Sequence, residues 1–292
     1  MRCYGLIYNP RAGDGSRRDL PRVTAERLRA AGHSVREYTE DETSAEAAAA
    51  AIREGCDVLV ACGGDGTVNA VAQAVFAADA ILGVLPLGTL NHFARDLGIR
   101  GMADAERILL ASRIRAVDAG VVNGHLFLNN SGIGIYPAMV LERERVRKAG
   151  LPRWPAFIVA CIRILVKLPF RHLRLEADGK QLTRSTPFLF VGNNAYTVEG
   201  PWLGRRTRLD EGLLGICTAR HVGPTGLLRI AMRALLGTVR RDRDFTMLTA
   251  KKLIVRRRKK GTANVSLDGE VRRIRMPLEY SSLPGAIRVL AP

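Results

Sequence analysis

Aromatic residues are scarce in this 292-residue chain, at 5%. That is too few for the stacked platforms on which single-stranded nucleic acid is held. Cysteine is scarce and scattered. Cys3, Cys56, Cys62, Cys161 and Cys217 form no Cys-x-x-Cys pair, and their number is odd. A disulfide framework and a zinc site are thereby disfavoured, and a reducing cytosol fits. The five histidines show no metal-ligand spacing. A long apolar run free of charge is missing too. The most apolar segment, WPAFIVACIRILVKLPF at 154–170, is interrupted by Arg163 and Lys167 and bracketed by prolines. It is too short and too charged to span a bilayer. It reads as a core or domain-interface helix, or else as an interfacial helix with its cations near lipid headgroups. The start, MRCYGLIYNP, lacks the long apolar region and cleavage site of a signal peptide. Acidic residues are in deficit: 28 against 45 basic ones, a formal net charge of +17. Such a surface attracts nucleic acid, anionic lipid or nucleotide phosphates without choosing among them, and a generally basic proteome would produce the same excess.

What is present is the length for two domains and the apolar content, 47%, for real cores. The first 120 residues alternate strand and helix patterns. Strands are expected at 3–8, 34–39, 57–62 and 81–86. Helices are expected at 18–32, 44–55, 67–78, 91–97 and 103–112, the second opened by Ser44. This order predicts βαβ units and a mostly parallel sheet. Beyond residue 120 the chain is strand-rich, in HLFLNNSGIG, RHLRLEADGKQLTRSTPFLFVGNN, LLGICTA (213–219), DFTMLTAKKLIVRRR (244–258) and ANVSLDGE (263–270). Asp178-Gly179 reads as a hairpin turn, and one helix, 225–237, interrupts the pattern. The expectation is an α/β domain over 1–120 and a β-rich, largely antiparallel domain over 121–279. The last strand, within 280–292, is free to complete either domain.

Three strands of the first domain end in glycine-bearing turns: Asn9-Pro10-Arg11-Ala12-Gly13, Gly63-Gly64-Asp65-Gly66-Thr67 and Pro86-Leu87-Gly88-Thr89-Leu90-Asn91. In an open parallel sheet, ligands bind outside the carboxyl ends of the strands. Glycines let the backbone come within hydrogen-bond reach of a phosphate, and the helix after each turn aims unpaired N–H groups at the same place. Thr67 and Thr89 add hydroxyl donors. Asp65 is repulsive beside phosphate unless Mg²⁺ lies between them, which points to a nucleoside triphosphate bound with its metal. Singly, each turn is what any βα connection contains; three in order, with Asp65 in one, carry the phosphate reading. Neither a Walker A loop nor a GxGxxG dinucleotide fingerprint is present.

With NPRAGDGS, GGDGTVNAV, PLGTLNHFARDLGI, NNSGIGIYPAMV and VSLDGE in this order between residues 9 and 270, the sequence resembles the diacylglycerol kinase catalytic-domain family, in particular its bacterial soluble lipid kinases. The resemblance implies a three-layer α/β nucleotide-binding domain and a sandwich-like β domain, with the active site in the cleft. It also implies Mg²⁺-dependent transfer of the γ-phosphoryl group of ATP to a lipid hydroxyl. Position by position, it implies a nucleotide site from Asn9, Pro10, Gly13, Thr39, Gly63, Gly64, Asp65, Gly66, Thr67, Asn69, Gly88 and Thr89. Asp268 and Glu270 match the family's catalytic acidic motif, and Asp118 matches an aspartate of its metal and water network. A structural metal loop would use Glu211 and the carbonyls of Arg208 and Leu213. Two departures stand out. Asn91-His92 replaces a frequent Asn-Asp, so one acidic partner is absent. Asp210-Glu211-Gly212 replaces Asp-Asp-Gly.

On this reading Asp65, with Asp118, handles Mg²⁺, and Asp268 or Glu270 orients the lipid hydroxyl and accepts its proton. The basic clusters RERVRK (143–148) and KKLIVRRRKK (251–260) read either as solvated faces or as a peripheral contact with anionic membrane. The expected location is the cytoplasm, at the inner face of the membrane, with a lipid substrate and no nucleic acid; a homodimer is left open. Two rivals remain. One is an NAD kinase-like enzyme acting on a soluble substrate, against which NNSGIG and LDGE argue. The other is a non-catalytic nucleic-acid-binding or regulatory protein on a degenerate kinase fold, for which no helix-turn-helix or RNA-binding motif is present.

Overall fold

The computed structural model describes residues 1–8, 19–39, 43–148, 171–197, 206, 208–220, 223–239, 242–258 and 261–292. The apolar segment 154–170 and the turn that carries Asn9, Pro10 and Gly13 lie outside them. The chain divides into two units: Met1–Ala119 with Pro284–Pro292, and Gly120–Leu283.

The first unit is built from β1 (Cys3–Tyr8), α1 (Leu20–Ala30), β2 (Ser34–Tyr38), α2 (Ser44–Arg53), β3 (Val58–Gly63), α3 (Asp65–Ala78), β4 (Ile81–Pro86), α4 (His92–Asp96) and α5 (Met102–Ala111). Its strands are parallel in the order β2-β1-β3-β4, and the end of β16 (Leu278–Leu290) is added in parallel beyond β4. The central strands are apolar on both faces, as a sheet covered on both sides requires: Val58, Leu59, Val60 and Ala61 are all fully buried. Helix α1 packs with α5, and α2 with α3. Because β1→β2 and β2→β3 run in opposite directions, right-handed crossovers put those two pairs on opposite faces. The order reverses between β1 and β3, so the ligand crevice of this fold falls at the carboxyl ends of those two strands. Helix α2 is opened by Thr43 rather than Ser44. The Thr43 hydroxyl accepts from the Glu46 N–H, and the Glu46 carboxylate accepts from the Thr43 N–H, a reciprocal capping box.

The chain passes into the second unit within β5 (Ile114–Val122) and returns within β16. The second unit holds β6 (His125–Phe127), β7 (Asn130–Gly134), α6 (Ile135–Lys148), β8 (Arg171–Ala177), β9 (Lys180–Thr186), β10 (Phe188–Asn193), β11 (Leu214–Ala219), α7 (Pro224–Leu235), β12 (Phe245–Ala250), β13 (Lys252–Arg257), β14 (Thr262–Leu267) and β15 (Glu270–Arg275). One sheet runs β12-β11-β10-β7-β14-β15, antiparallel throughout. In the other, β13 lies between β8 and the first half of β16, and β9 forms a hairpin with β8. Leu173, Leu253 and Leu278 from this second sheet share one core with Val191, Ile216 and Val265 from the first. The expected order, α/β followed by a β-rich half, is the observed one.

Candidate active site

In the first unit the Gly-Gly-Asp-Gly-Thr turn is tighter than the sequence suggests. Gly64 is the N-cap of α3, and the helix starts at Asp65 instead of 67. The Val68 N–H closes the first turn on the Gly64 carbonyl at 3.0 Å. The N–H groups ahead of it are the ones a helix leaves unpaired, and they favour an anion at this end. The neighbouring β4 turn meets this one backbone to backbone. A Cβ built on Gly88 would fall 2.5 Å from the Gly64 Cα, so no side chain fits between the two loops. The Leu87 N–H donates to the Gly63 carbonyl at 3.0 Å, which locks the pair. Asn91, in the left-handed conformation at φ 48°, donates from Nδ2 to the Gly88 carbonyl at 2.7 Å.

The polar residues of these turns separate into groups. Asp65 Oδ1 accepts from the Phe93 N–H at 3.3 Å, so one carboxylate oxygen steadies the start of α4. The Thr67 side chain packs on Gly63. Asn69 accepts from Gln73 one turn along α3. Gly66, Thr89 and His92 are exposed. Thr39 is exposed at the end of β2, the edge strand beside β1. At the end of β1, Tyr8 donates to Glu37 at 2.9 Å. Burial, reinforced by Glu37, pushes the Tyr8 hydroxyl up to about 12, so it remains a neutral donor. Asp118 is buried, and its Oδ1 accepts from the Gly285 N–H at 2.8 Å, tying β5 to β16.

In the second unit Asp268 and Gly269 form the turn of the β14–β15 hairpin, both at positive φ (47° and 97°). The Asp268 carboxylate is heavily committed. Oδ2 accepts from the Leu128 N–H at 2.7 Å, and Oδ1 accepts from the Asn129 and Asn130 N–H groups at 2.8 and 2.9 Å. It clamps the start of the NNSGIG segment to the LDGE turn. Glu270 is different: its side chain is 61% exposed, with Arg272 at 3.4 Å. The Tyr136 hydroxyl approaches the same turn, 4.0 Å from where a Cβ on Gly269 would stand.

Sequence reasoning missed the buried scaffold behind this turn. Arg206, 4% exposed, donates to the carbonyls of Leu128 (2.6 Å) and Asn193 (3.2 Å) and to Asn129 Oδ1 (2.7 Å). Asn193 Nδ2 donates to the Leu128 carbonyl at 3.0 Å, and the Tyr196 hydroxyl donates to that of Asn129 at 2.9 Å. The paired asparagines of VGNN were a visible signal; Arg206, in no motif, offered none.

A cavity of about 550 Å³ opens under α6, lined by Ile133, Pro137, Leu141, Leu173 and Met276, with Arg257 and Arg273 also in its wall. That volume lies within the range of about 300–1,000 Å³ usual for small-molecule sites.

The loop expected to hold a structural metal also makes protein hydrogen bonds. Glu211 Oε2 accepts from the Ala195 N–H at 3.2 Å, the Leu213 carbonyl accepts from the Asn194 N–H at 2.9 Å, and Arg208 pairs with Asp210. No group of three His, Cys, Asp or Glu suited to a metal occurs among the described residues.

The two units, one with a glycine-rich turn at a helix start and the other with an acidic hairpin turn, have counterparts among known phosphotransferases. Residues 4–122 match the diacylglycerol kinase catalytic domain, and residues 138–291 match the YegS C-terminal NAD kinase beta sandwich-like domain. The chain is 30% identical over 302 residues to a diacylglycerol kinase of Bacillus subtilis, covering 100% of this chain and 97% of that protein. It is 30% identical over 296 residues to a probable YegS-like lipid kinase of Pseudomonas aeruginosa, covering 98% and 93%. A putative diacylglycerol kinase from Bacillus anthracis has the same fold, with a TM-score of 0.74 at 20% identity over 100% of this chain and 97% of that one. The chain belongs to the diacylglycerol kinase family, and it is an enzyme of the kinase class. No described helix is long and apolar enough to cross a membrane.

Proposed function

We propose that the chain is an ATP- and Mg²⁺-dependent lipid kinase that moves the γ-phosphoryl group of ATP to the hydroxyl of a diacylglycerol-like lipid. The observation that carries the nucleotide half is the contact of Gly64 with Gly88 at the open N-terminus of α3. With glycine on both sides of that contact no side chain stands between the loops, and the unpaired N–H groups at the start of α3 can approach phosphate oxygens.

Asp65 suits a hard cation: it is a carboxylate at the first turn of α3, with Oδ1 fixed by Phe93. When bound, Mg²⁺ neutralises charge on the β- and γ-phosphates. Asp118, whose Oδ1 accepts from the Gly285 N–H, would be a second carboxylate for that cation. The Asp210-Glu211-Gly212 loop does not fit a second cation as well, because Glu211 and the Leu213 carbonyl already hold the loop to Asn194 and Ala195.

The lipid half belongs to the second unit. The cavity under α6 has a mixed wall: Ile133, Leu141 and Leu173 would take acyl chain, and Arg257 and Arg273 suit a polar or anionic headgroup. Between the two acids of the LDGE motif, the clamping bonds of Asp268 leave Glu270 as the better proton acceptor. The acceptor oxygen bonds to the γ-phosphorus while the bond from phosphorus to the bridging oxygen of ADP breaks. The hydroxyl proton passes to Glu270, and ADP leaves. Positioning and charge neutralisation supply most of the rate, so Glu270 needs no unusual basicity. The reaction would take place in the cytoplasm at the inner membrane face, where exposed Lys252 and Arg256 suit anionic headgroups.

The test is incubation of the purified protein with γ-labelled ATP, Mg²⁺ and a lipid extract, followed by identification of the product. Label in an extractable phosphorylated lipid is expected. Label on a soluble nucleotide, or no transfer at all, would overturn the proposal.

A further inference from the structure

Helix α7 has two apolar faces. The inner one places Ile230 against Ala219 and Val239, with Leu227, Phe188, Phe245 and Met247 packed around them. The outer one carries Leu228 and Met232, four residues apart, and Leu236 continues the row in the turn that follows; these are 63%, 50% and 69% exposed. Scattered apolar residues on a surface need no explanation, but three long ones in a row at helical spacing mark an interaction face.

Ion pairs hold the helix in this orientation. Arg229 makes a two-bond contact with Asp242 at 2.8 and 3.2 Å and a further one with Asp244, while Arg233 lies 3.5 Å from Asp242. The Asp242 side chain is only 1% exposed, so the pairs are anchored in the protein. The row is therefore held outward while Ile230 is held inward.

The surroundings identify the occupant. Residues 220–244 contain six arginines against two aspartates. Arg220 is exposed, and the Arg243 side chain is 86% exposed. A second copy of the chain would bring the same cations to the contact and be repelled. An anionic bilayer complements both features: headgroups meet the arginines and acyl chains meet the apolar row. We infer that α7 is a membrane-docking helix that seats Leu228, Met232 and Leu236 at the headgroup–acyl boundary of an anionic bilayer. The inference rests on the lipid-acceptor reading, because an enzyme that uses a bilayer lipid has to hold that surface.

The test is flotation with phosphatidylglycerol-containing vesicles and with pure phosphatidylcholine vesicles, without ATP. The wild-type protein should float with the anionic vesicles. The triple variant Leu228→Ser, Met232→Ser, Leu236→Ser should lose at least tenfold in partition at unchanged melting temperature. Equal binding of variant and wild type would overturn the docking role, as would a change in the variant's oligomeric state, which would make the row a self-contact. A Met232→Trp variant gives a second readout: its added fluorescence should be quenched by brominated acyl chains, and unquenched fluorescence on bound protein would contradict insertion. Vesicle binding through α7 without transfer of label to any lipid would leave docking standing and remove the lipid-kinase reading.

Discussion

Two Asp-Gly turns in the second unit have nearly the same backbone. Asp178 and Gly179 sit at φ 46° and 81°, Asp268 and Gly269 at 47° and 97°. Both close antiparallel hairpins, and both use the aspartate as a clamp. Asp178 accepts from the Lys251 and Lys252 N–H groups, at 3.1 and 2.9 Å to Oδ1, where the chain leaves β12 for β13. Asp268 accepts from three N–H groups at the start of β7. A carboxylate at this turn position thus organises a strand remote in sequence, whether or not it stands near chemistry. What separates the 268 turn is its company: exposed Glu270, the Tyr136 hydroxyl and the buried Arg206 network. The acidic motif combines a structural acid with an accessible one, and on the proposed function the accessible one moves the proton.

Substitutions can break that distinction. The largest effect is expected at Glu270→Gln, where turnover should drop by about 100-fold or more with ATP binding and melting temperature preserved. A mild effect there would remove Glu270 as the base. Asp268→Asn comes next: an amide nitrogen would face backbone donors, costing roughly 1–3 kcal/mol of stability. Its turnover should fall in step with the melting temperature. Lost turnover at unchanged stability would show instead that Asp268 acts on the substrate. Asp178→Asn should do least, lowering stability by about 1 kcal/mol or less and leaving turnover alone. The Lys251 and Lys252 N–H groups hold the Asp178 carboxyl below the usual carboxylate range. Its contribution is therefore complete above the unfolded-state pKa and fades as pH falls through the lowered folded value. Acid titration of melting temperature should show a correspondingly shallower fall for Asp178→Asn than for the wild type.

The clamps also explain what the sequence made visible. Strands β1 and β4 lie at their expected bounds, because a buried parallel strand is a continuous apolar run with punctuated ends. The start of α3 was placed two residues late, since Gly64, Asp65 and Gly66 read locally as loop, yet Gly64 is a cap and Asp65 opens the helix. The run 244–258 looked like one strand and is two; the break at Lys251 is held by Asp178, 73 residues earlier, and has no local turn residue. The last strand, expected within 280–292, spans Leu278–Leu290. Pro284-Gly285 looks like a stop, but the Gly285 N–H is held by Asp118, and the strand continues. In the candidate site, glycines and acids were legible as residue types at turns. The commitment of Asp65, Asp118 and Asp268 was not, because their partners lie 28 to 167 residues away.

On the proposed function, the Gly-Gly-Asp-Gly-Thr turn of the first unit handles the transferred phosphate through Asp65. This central claim is tested most directly by the rate at which an Asp65→Ala enzyme transfers γ-phosphoryl label to diacylglycerol-containing vesicles. A loss of about 100-fold or more, at a melting temperature close to wild type, is predicted. Near-normal transfer would contradict the claim.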